Sequence, residues 1–224
     1  MDKKAEYLRI GKYLVISDLH IGIELEYEKR GIFIPWQVNS LIEKIKGILE
    51  REKKIKSLII NGDIKHNILR PPKIELKFLY RFLEEIKELF DEIIIIKGNH
   101  DGKLERIIPD IPIRPWMIYR KNLLIHGHRR VRGNEGSFKK IITGHLHPIF
   151  VSKGRAIKVF ILGKYKDWTT IILPAFSDLC GGKDIRKEVY GVIARHLEDI
   201  KIVSLDGKIL YHLLSPLEKE NITQ

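Results

Sequence analysis

Four consecutive isoleucines at positions 93–96, followed by Gly-Asn-His-Asp at positions 98–101, constrain this chain more than any other feature. A β-branched run without polar alternation predicts a strand that is buried on both faces, as in a parallel sheet. Because ligands of open α/β sheets bind just beyond the carboxyl ends of the strands, the stretch predicts a strand that delivers polar groups to a ligand site. A plain polar turn after a core strand is the alternative.

Two earlier apolar runs end in the same way. Residues 13–16 lead to Asp18 and His20, and the next run along the chain leads to Asp63. Alternation along an extended chain would send the side chains of Asp18 and His20 to one side while Leu19 points into the core. We therefore expect polar side chains at three neighbouring strand ends.

The segments between these strands carry apolar residues at helical spacing. One pattern covers residues 38–49 and follows Pro35, which can open a helix, and the other covers residues 76–90. Residues 21–33 are predicted to form a charged connection. Strand, helix, strand, helix, strand is the order of βαβ units, so we expect a parallel core.

The second half of the chain is predicted to be mainly antiparallel, after a loop over residues 103–115 that contains three prolines. A turn is expected at residues 133–136. Strands are predicted at residues 116–119, 123–125, 141–143, 157–162 and 169–173, with two or three more between 188 and 214. The whole order predicts an α/β fold, a four-layer α/β/β/α sandwich of two mixed sheets flanked by helices, in a single domain over residues 1–224.

The predicted strand ends gather side chains that can ligate metals: Asp18, His20, Asp63, Asn99, His126, His145 and His147. Imidazole nitrogens with carboxylate and amide oxygens suit Mn²⁺, Fe or Zn²⁺ better than Cu(I), which prefers thiolates. A carboxylate can bridge two ions about 3.5–4 Å apart. A lone histidine at a strand end is weak support for a metal site, but the whole set in this order is strong support.

With these motifs the sequence resembles the calcineurin-like metallophosphoesterase superfamily. That family's pattern runs Asp-x-His, Gly-Asp, Gly-Asn-His-Asp/Glu, His and Gly-His-x-His, and residues 13–148 supply each part in order. Leu-Pro-Ala-Phe at 173–176 and Gly-Gly at 181–182 look like the tail of archaeal SbcD-related and bacterial DNA-ligase-associated phosphoesterases. This narrower resemblance implies work on nucleic acids. For the two glycines, a close approach of backbone to the site and a simple tight turn are both open.

The resemblance implies two divalent metal ions, with Mn²⁺ as the first choice and Fe, Zn²⁺ or Ni²⁺ as alternatives. One ion would be held by Asp18, His20, Asp63 and His147. The other would be held by Asp63, Asn99, His126 and His145, so that Asp63 bridges the two. His100 would contact the phosphate or protonate the leaving oxygen, and Asp101 would orient His100.

The expected activity is hydrolysis of phosphodiester bonds in nucleic acids or nucleotides. Two dications neutralise the phosphate charge and lower the pKa of a bound water, so that a metal-bound hydroxide can attack at neutral pH. A histidine that is not a ligand, here His100, is suited to protonate the leaving alkoxide. The alternatives are a phosphomonoesterase acting on a small or protein substrate and a catalytically silent subunit that binds nucleic acid or serves as a scaffold. The complete ligand set counts against the silent subunit.

Four further residues are candidate substrate contacts: His66, His128, Arg129 and Arg130. His128 is less suited than His126 to be a ligand, because His126 directly ends an apolar run. Other basic residues are expected near the same mouth: Lys65, Arg70, Arg132, Lys183, Arg186 and Lys187. Each of them either contacts phosphate or belongs to a solvated face.

Amino-acid composition indicates which partners and which cellular compartment to expect. Lys and Arg total 41 against 29 Asp and Glu, and the formal net charge of +12 favours a polyanionic partner such as DNA or RNA. The 31% of charged residues and the scarcity of Met and Cys fit a thermophilic source, and the narrower resemblance implies an archaeal one. A single cysteine, Cys180, expected to be a packed or idle thiol, and the lack of an apolar leader or span predict a cytoplasmic protein without a membrane partner. A homodimer or a DNA-repair partner is a further expectation.

Overall fold

A computed structural model describes residues 6–131, 137–189 and 191–215 of the chain. Its first sheet has five strands in the order β1 (Leu8–Ile10), β2 (Tyr13–Ile16), β3 (Ser57–Ile60), β4 (Glu92–Ile96) and β5 (Ile113–Arg114). Strands β2 to β5 run parallel, as the βαβ order predicts, whereas β1 pairs antiparallel with β2. Ile16, Ile60 and Ile95 are register partners, so the carboxyl ends of the three central strands lie at the same edge.

The outer face of this sheet is covered by helices. The chain forms α1 (Glu24–Lys29), α2 (Val38–Arg51), α3 (Lys73–Lys87) and α4 (Leu104–Ile107). The predicted apolar faces of α2 and α3 form one core with sheet residues such as Leu14, Leu58 and Ile93. Burying each such side chain stabilises the fold by roughly 1.5–3 kcal/mol. None of the described helices is long and apolar enough to cross a membrane.

Local details of the first half differ from the predictions. Helix α2 begins at Val38 and not at Pro35, and the side-chain amide of Gln37, just before it, donates to carbonyls in the loop that follows β2. The predicted connection over residues 21–33 contains α1, and the predicted loop over residues 103–115 contains α4 and β5. The two helices span only one or two turns and the strand has 2 residues, so all three are too short for periodicity to reveal.

In the described part of the chain, the second sheet contains eight strands. They are β6 (Met117–Tyr119), β7 (Asn122–Leu124), β8 (Lys140–Thr143), β9 (Ile149–Ser152), β10 (Arg155–Tyr165), β11 (Trp168–Ile172), β12 (Leu197–Ser204) and β13 (Ile209–Leu213). The order is β13-β12-β10-β11-β8-β7-β6, and β9 pairs with β10. The predicted hairpins β6–β7 and β10–β11 are confirmed, and the parallel pairs β7–β8 and β8–β11 make this sheet mixed as well. The turn predicted at residues 133–136 lies outside the described residues.

The two sheets pack face to face through apolar side chains. Val15, Ile59 and Ile94 from the first sheet meet Leu124 and Ile142 from the second. This contact brings the polar edges of the two sheets together, because β2, β3 and β4 end on the same side as β7 and β8.

A separate core lies on the outer face of the second sheet. Ile185 and Ile193 pack there with β10 and β12, beside a 3-10 helix at Ala194–His196. The predicted α/β class with two mixed sheets is therefore confirmed. Within the described residues, the helical layer on this side is limited to that 3-10 turn, and most of the core there consists of side chains from the sheet and from irregular segments.

Candidate active site

Loops from both sheets meet at one edge of the sandwich. The N–H of Asp18 donates to the Gly62 carbonyl (3.0 Å), and the N–H of His20 donates to the Asp63 carbonyl (2.9 Å). A similar main-chain bond joins the loops that follow β7 and β8. The hydrogen-bond pattern of the sheets thus continues past the last strand residues and fixes the backbone that carries the polar side chains.

Five of the seven predicted ligands have positive φ angles: Asp18 (58°), His20 (46°), Asp63 (54°), His145 (69°) and His147 (49°). This left-handed conformation costs an L-residue of order 1–3 kcal/mol and tends to cluster at functional sites. Asp18 and His20 do reach the site together, with Leu19 fully buried. They do so through two left-handed residues, so the extended alternation predicted from the sequence is wrong.

Two buried carboxylates, those of Asp18 and Asp63, form the centre of the site. The Nε2 atom of His126 lies 3.1 Å from Oδ2 of Asp63 and 3.8 Å from Oδ1 of Asp18. The Nε2 atom of His147 lies 3.1 Å from Oδ1 of Asp18, and that of His20 lies 3.7 Å from Oδ2 of Asp63. Imidazoles from three loops therefore converge on one pair of carboxylates.

Two potential ligand atoms of this cluster are buried without a hydrogen-bond partner among the described residues: His20 Nε2 and Asn99 Oδ1. An unpaired buried polar atom costs about 1–3 kcal/mol, so another group is expected to meet these atoms. The ligand atoms of Asp18, His20 and Asp63 lie within 4.8 Å of one another, and so do those of Asp63, His126 and His145. Nitrogen and oxygen donors arranged in this way fit two divalent cations that share Asp63.

Crowding explains the glycines of the motifs. A methyl group on Gly98 would overlap Oδ1 of Asp63, and one on Gly62 would overlap the ring of His126. Gly62 also has a φ angle of +93°, which favours glycine. Glycine at these two positions therefore lets the loops approach closely enough for their side chains to share a site.

Burial and charge act on the imidazoles in opposite directions. Burial lowers the pKa of His20 to about 3 and that of His145 to about 4, so both rings stay neutral, as a ligand must. Burial also disfavours charge on His126, but the carboxylates of Asp63 and Asp18 outweigh it and raise the pKa of His126 to about 10. Ligation by His126 is therefore linked to the release of a proton.

His100 lies beside the cluster, with its ring centroid 4.7 Å from that of His20. The N–H of His100 donates to Oδ1 of Asp63 (2.8 Å), and its ring Nδ1 donates to the His66 carbonyl. The ring is half-buried, and Nε2 is the nitrogen left to meet a substrate. His100 thus occupies the position predicted for it, and its role as acid stays a prediction.

Asp101 does not orient His100, so that predicted contact is wrong. The two carboxylate oxygens of Asp101 accept backbone N–H bonds from Asp63 (2.8 Å), Ile64 (3.1 Å) and Gly98 (2.8 Å). Burial raises the pKa of Asp101 to about 6, and the Asp63 carboxylate acts in the same direction. Asp101 therefore joins the Gly-Asp loop to the Gly-Asn-His-Asp loop. The ring of His100 is instead oriented by the His66 carbonyl.

The side chain of His66 joins the site. Its Nδ1 lies 3.3 Å from Nδ1 of His20, and its Nε2 lies 2.8 Å from Oε2 of Glu26 on α1. Sequence reasoning missed Glu26, because 40 residues separate it from His66. The predicted substrate contact of His66 stays a prediction, but both ring nitrogens already have protein partners.

Lys65 does not lie at the mouth of the site, so that prediction is wrong. It is fully buried, and its Nζ donates to the carbonyls of Asn67, Ile68 and His100. Burial lowers its pKa. The ammonium group therefore ties the loop that follows His66 to the loop that carries His100.

The loop after β7 carries the other candidate substrate contacts. His128 is half-buried, its ring centroid lies 5.4 Å from that of His126 and 6.1 Å from that of His145, and burial lowers its pKa to about 4. Arg129 and Arg130 are exposed on the same loop. Contact of these three residues with substrate stays a prediction.

The other predicted basic residues fall into different groups. Arg70 and Lys187 are exposed, and Arg132 lies outside the described residues. Arg186 donates to Asp184 (2.9 Å) and stacks on the ring of Phe150, with 4.1 Å between guanidinium carbon and ring centroid. Lys183 lies 2.9 Å from Glu188. The charges of Arg186 and Lys183 are thus engaged within the protein.

The chain around Cys180 also reaches the site, although no motif led to this cysteine. Its sulfur lies within 4.8 Å of ligand atoms of His20 and His147. Burial raises the pKa of Cys180 to about 12, so the thiol stays protonated, which fits a packed residue and not a nucleophile. The Gly181 carbonyl accepts a bond from Nδ1 of His147 (3.1 Å), which confirms the close approach of the glycine pair to the site.

Two packed mixed sheets with Asp, Asn and His side chains at their shared edge define a metallohydrolase type of site. The family model for calcineurin-like phosphoesterase matches residues 11–159, and the chain belongs to this family. It is therefore a metal-dependent hydrolase of phosphoric esters. A search of curated proteins found no match.

Two solved structures match this chain with different quality. Nuclease MPE of Pseudomonas putida superposes with a TM-score of 0.58 at 23% identity, covering 86% of this chain and 84% of that chain. YfcE, a phosphoesterase from E. coli, superposes with a TM-score of 0.48 at 16% identity, covering 91% and 98%. Because the identity is this low, the likeness to nuclease MPE concerns the fold alone.

Proposed function

We propose that this chain is a phosphodiesterase that cleaves nucleic acid with two divalent cations, Mn²⁺ being the first choice. The observation that carries the proposal is the convergence of two buried carboxylates with potential ligand atoms of His20, Asn99 and His126. When bound, the two ions would neutralise phosphate charge and lower the pKa of a coordinated water.

The residues of this chain would divide the work between binding and proton transfer. Asp63 would serve both ions, with Asp18, His20 and His147 on one side and Asn99, His126 and His145 on the other. Because Nδ1 of His100 donates to a carbonyl, only the doubly protonated ring can donate from Nε2 to a leaving oxygen. His100 would therefore act as general acid in its imidazolium form.

Charge supports nucleic acid as the substrate. The chain carries a formal net charge of +12, and Arg129 and Arg130 are exposed two or three positions beyond His126. The tail at 173–182, similar to that of SbcD-related phosphoesterases, points to the same substrate class. A cytoplasmic location, a thermophilic archaeal source, a single domain and a homodimer or DNA-repair partner remain predictions from the sequence.

Hydrolysis assays with and without metal test this proposal. Purified protein stripped with EDTA should be inactive, and Mn²⁺ should restore cleavage of bis-p-nitrophenyl phosphate and of single- or double-stranded DNA. Activity that survives thorough chelation would contradict the metal-dependent mechanism. Restored cleavage of p-nitrophenyl phosphate alone would instead identify a phosphomonoesterase, and metal-independent DNA binding without any turnover would identify a silent binding subunit.

A further inference from the structure

The histidines of the metal cluster are oriented through their second ring nitrogen. Nδ1 of His126 donates to the Asn61 carbonyl (2.8 Å), and Nδ1 of His147 donates to the Gly181 carbonyl (3.1 Å). A carbonyl oxygen only accepts, so Nδ1 of each ring carries a proton, and Nε2, which faces the carboxylates, is the atom left to ligate a metal once it is deprotonated. Outer hydrogen bonds of this kind fix tautomer and ring direction in metal sites.

His20 is held differently. Its Nε2 is buried, lies 3.7 Å from Oδ2 of Asp63 and has no hydrogen-bond partner in the described part of the chain. Its Nδ1 faces another imidazole, because it lies 3.3 Å from Nδ1 of His66. A bond between two imidazole nitrogens needs one donor and one acceptor, so the tautomer of His66 decides that of His20.

Glu26 decides the tautomer of His66. Its Oε2 lies 2.8 Å from Nε2 of His66, and a carboxylate at neutral pH only accepts. Neutral His66 therefore carries its proton on Nε2 and presents a lone pair at Nδ1. The other carboxylate oxygen of Glu26 pairs with Arg30, and Tyr27 anchors the same helix by donating to the Leu179 carbonyl (2.9 Å).

We infer that Glu26 and His66 are positioning residues that set His20 in the tautomer with its proton on Nδ1. The chain of hydrogen bonds runs from the Glu26 carboxylate through His66 to His20, and it leaves Nε2 of His20 free to ligate beside Asp63. His66 thus takes the place that main-chain carbonyls take for His126 and His147. The inference rests on the proposed two-metal site, and it gives His66 a role other than substrate contact.

The rival arrangement is a third ion. Ligand atoms of His20, His66 and His100 also lie within 4.8 Å of one another, so an ion could occupy that position through Nδ1 of His20. The two arrangements differ in one atom, because Nδ1 of His20 is protonated in the first and bound to metal in the second.

Titration with Mn²⁺ in a calorimeter tests the inference. Glu26→Ala should lower the affinity for one of the two ions by about 10–100-fold and leave the affinity for the other unchanged. Glu26→Gln should lose less, because its amide oxygen still accepts the bond. Glu28→Ala, an exposed glutamate on the same helix, is the matched control and should bind as wild type does.

A double-mutant cycle separates this chain of bonds from a general effect. In a His66→Phe background, which removes the acceptor for His20, Glu26→Ala should add no further loss. Unchanged Mn²⁺ affinity in Glu26→Ala, or an equal loss with and without His66, would overturn the inference. A wild type that binds no Mn²⁺ would instead refute the proposed function.

Nitrogen-15 NMR of the imidazoles gives a readout that does not depend on activity. In protein loaded with diamagnetic Zn²⁺, and also in protein without added metal, the proton of His20 should reside on Nδ1 and that of His66 on Nε2. A proton on Nδ1 of His66, or a metal-bound Nδ1 of His20 with three ions per chain, would overturn the inference.

Discussion

The two sheets contribute different chemistry to the same site. Loops of the first sheet supply both carboxylates, the amide of Asn99, the imidazole of His20 and the non-ligand His100, whereas the predicted ligands on loops of the second sheet are all imidazoles. The first set is tied together by main-chain bonds and by the carboxylate of Asp101. In the second set, His126 is oriented by the Asn61 carbonyl of the first sheet's loops, and His147 is oriented by the Gly181 carbonyl.

This difference indicates how the site is assembled. The first sheet alone groups Asp18, His20 and Asp63, which is an anionic half-site. The group of Asp63, His126 and His145 exists only when the second sheet packs on the first. Asp63 belongs to both groups, so it is the residue at which the two halves depend on each other.

Removing the charge of Asp63 should have the largest effect on metal binding, because Asp63 belongs to both groups of ligands. Removing a hydrogen bond that orients a ligand costs about 10–100-fold in metal affinity. Asp63 would itself be a ligand of both ions, so Asp63→Asn should lower the affinity for each ion by about 100-fold or more and abolish most of the turnover. Calorimetric titration with Mn²⁺ measures this. Asp110→Asn, the same change at an exposed position, should bind normally, and retention of one tight ion in Asp63→Asn would contradict the shared role.

His100 offers a test within the first half, where ligands and the proposed acid are neighbours. His100→Asn should keep both ions and slow the hydrolysis of diesters with alkoxide leaving groups by about 10²–10⁴-fold. Hydrolysis of bis-p-nitrophenyl phosphate should fall much less, since p-nitrophenolate leaves without a proton. Equal losses for both substrates would show that His100 is only an electrostatic contact.

The contact between the sheets can be weakened without touching a ligand. Ile59 and Ile45 are both fully buried, the first between the two sheets and the second between a helix and the first sheet. Replacing either by Ala should lower the free energy of unfolding by about 2–5 kcal/mol. Only Ile59→Ala should also weaken Mn²⁺ binding by the folded protein, and equal affinities in the two variants would show that the site does not depend on sheet packing.

The smallest effect is expected at the rim of the second half. If Arg129 and Arg130 both contact phosphates, replacing them with Ala should reduce the slope of log affinity for duplex DNA against log salt by about 0.9 each. Lys53 and Lys54, an exposed pair in the loop before β3, are the matched control. Equal slopes in the two double variants would show that Arg129 and Arg130 do not contact DNA phosphates.

The sequence was most informative where a buried strand ends. The isoleucine run at 93–96 and the runs before Asp18 and Asp63 predicted three parallel strands whose polar ends share an edge, and the structure confirms that placement. The hairpins of the second sheet were predicted for the same reason, since apolar runs between turns are local signals.

The supporting contacts could not be predicted, because they depend on loops that meet only in the folded chain. From the sequence, Lys65 is expected at the rim of the site. In the folded chain its ammonium group is surrounded by the carbonyls of Asn67, Ile68 and His100. Asp101 follows His100 in sequence but turns toward backbone N–H groups. Glu26 reaches His66 across 40 residues. Motifs identify candidate ligands, whereas the contacts that orient them follow from tertiary packing.

Anomalous scattering from a crystal soaked in Mn²⁺ tests the central claim most directly. Two peaks about 3.5–4 Å apart are expected on either side of the Asp63 carboxylate, one near His20 and His147 and the other near His126 and His145. A single peak, or two peaks that do not share Asp63, would contradict a metal centre built jointly by the two sheets.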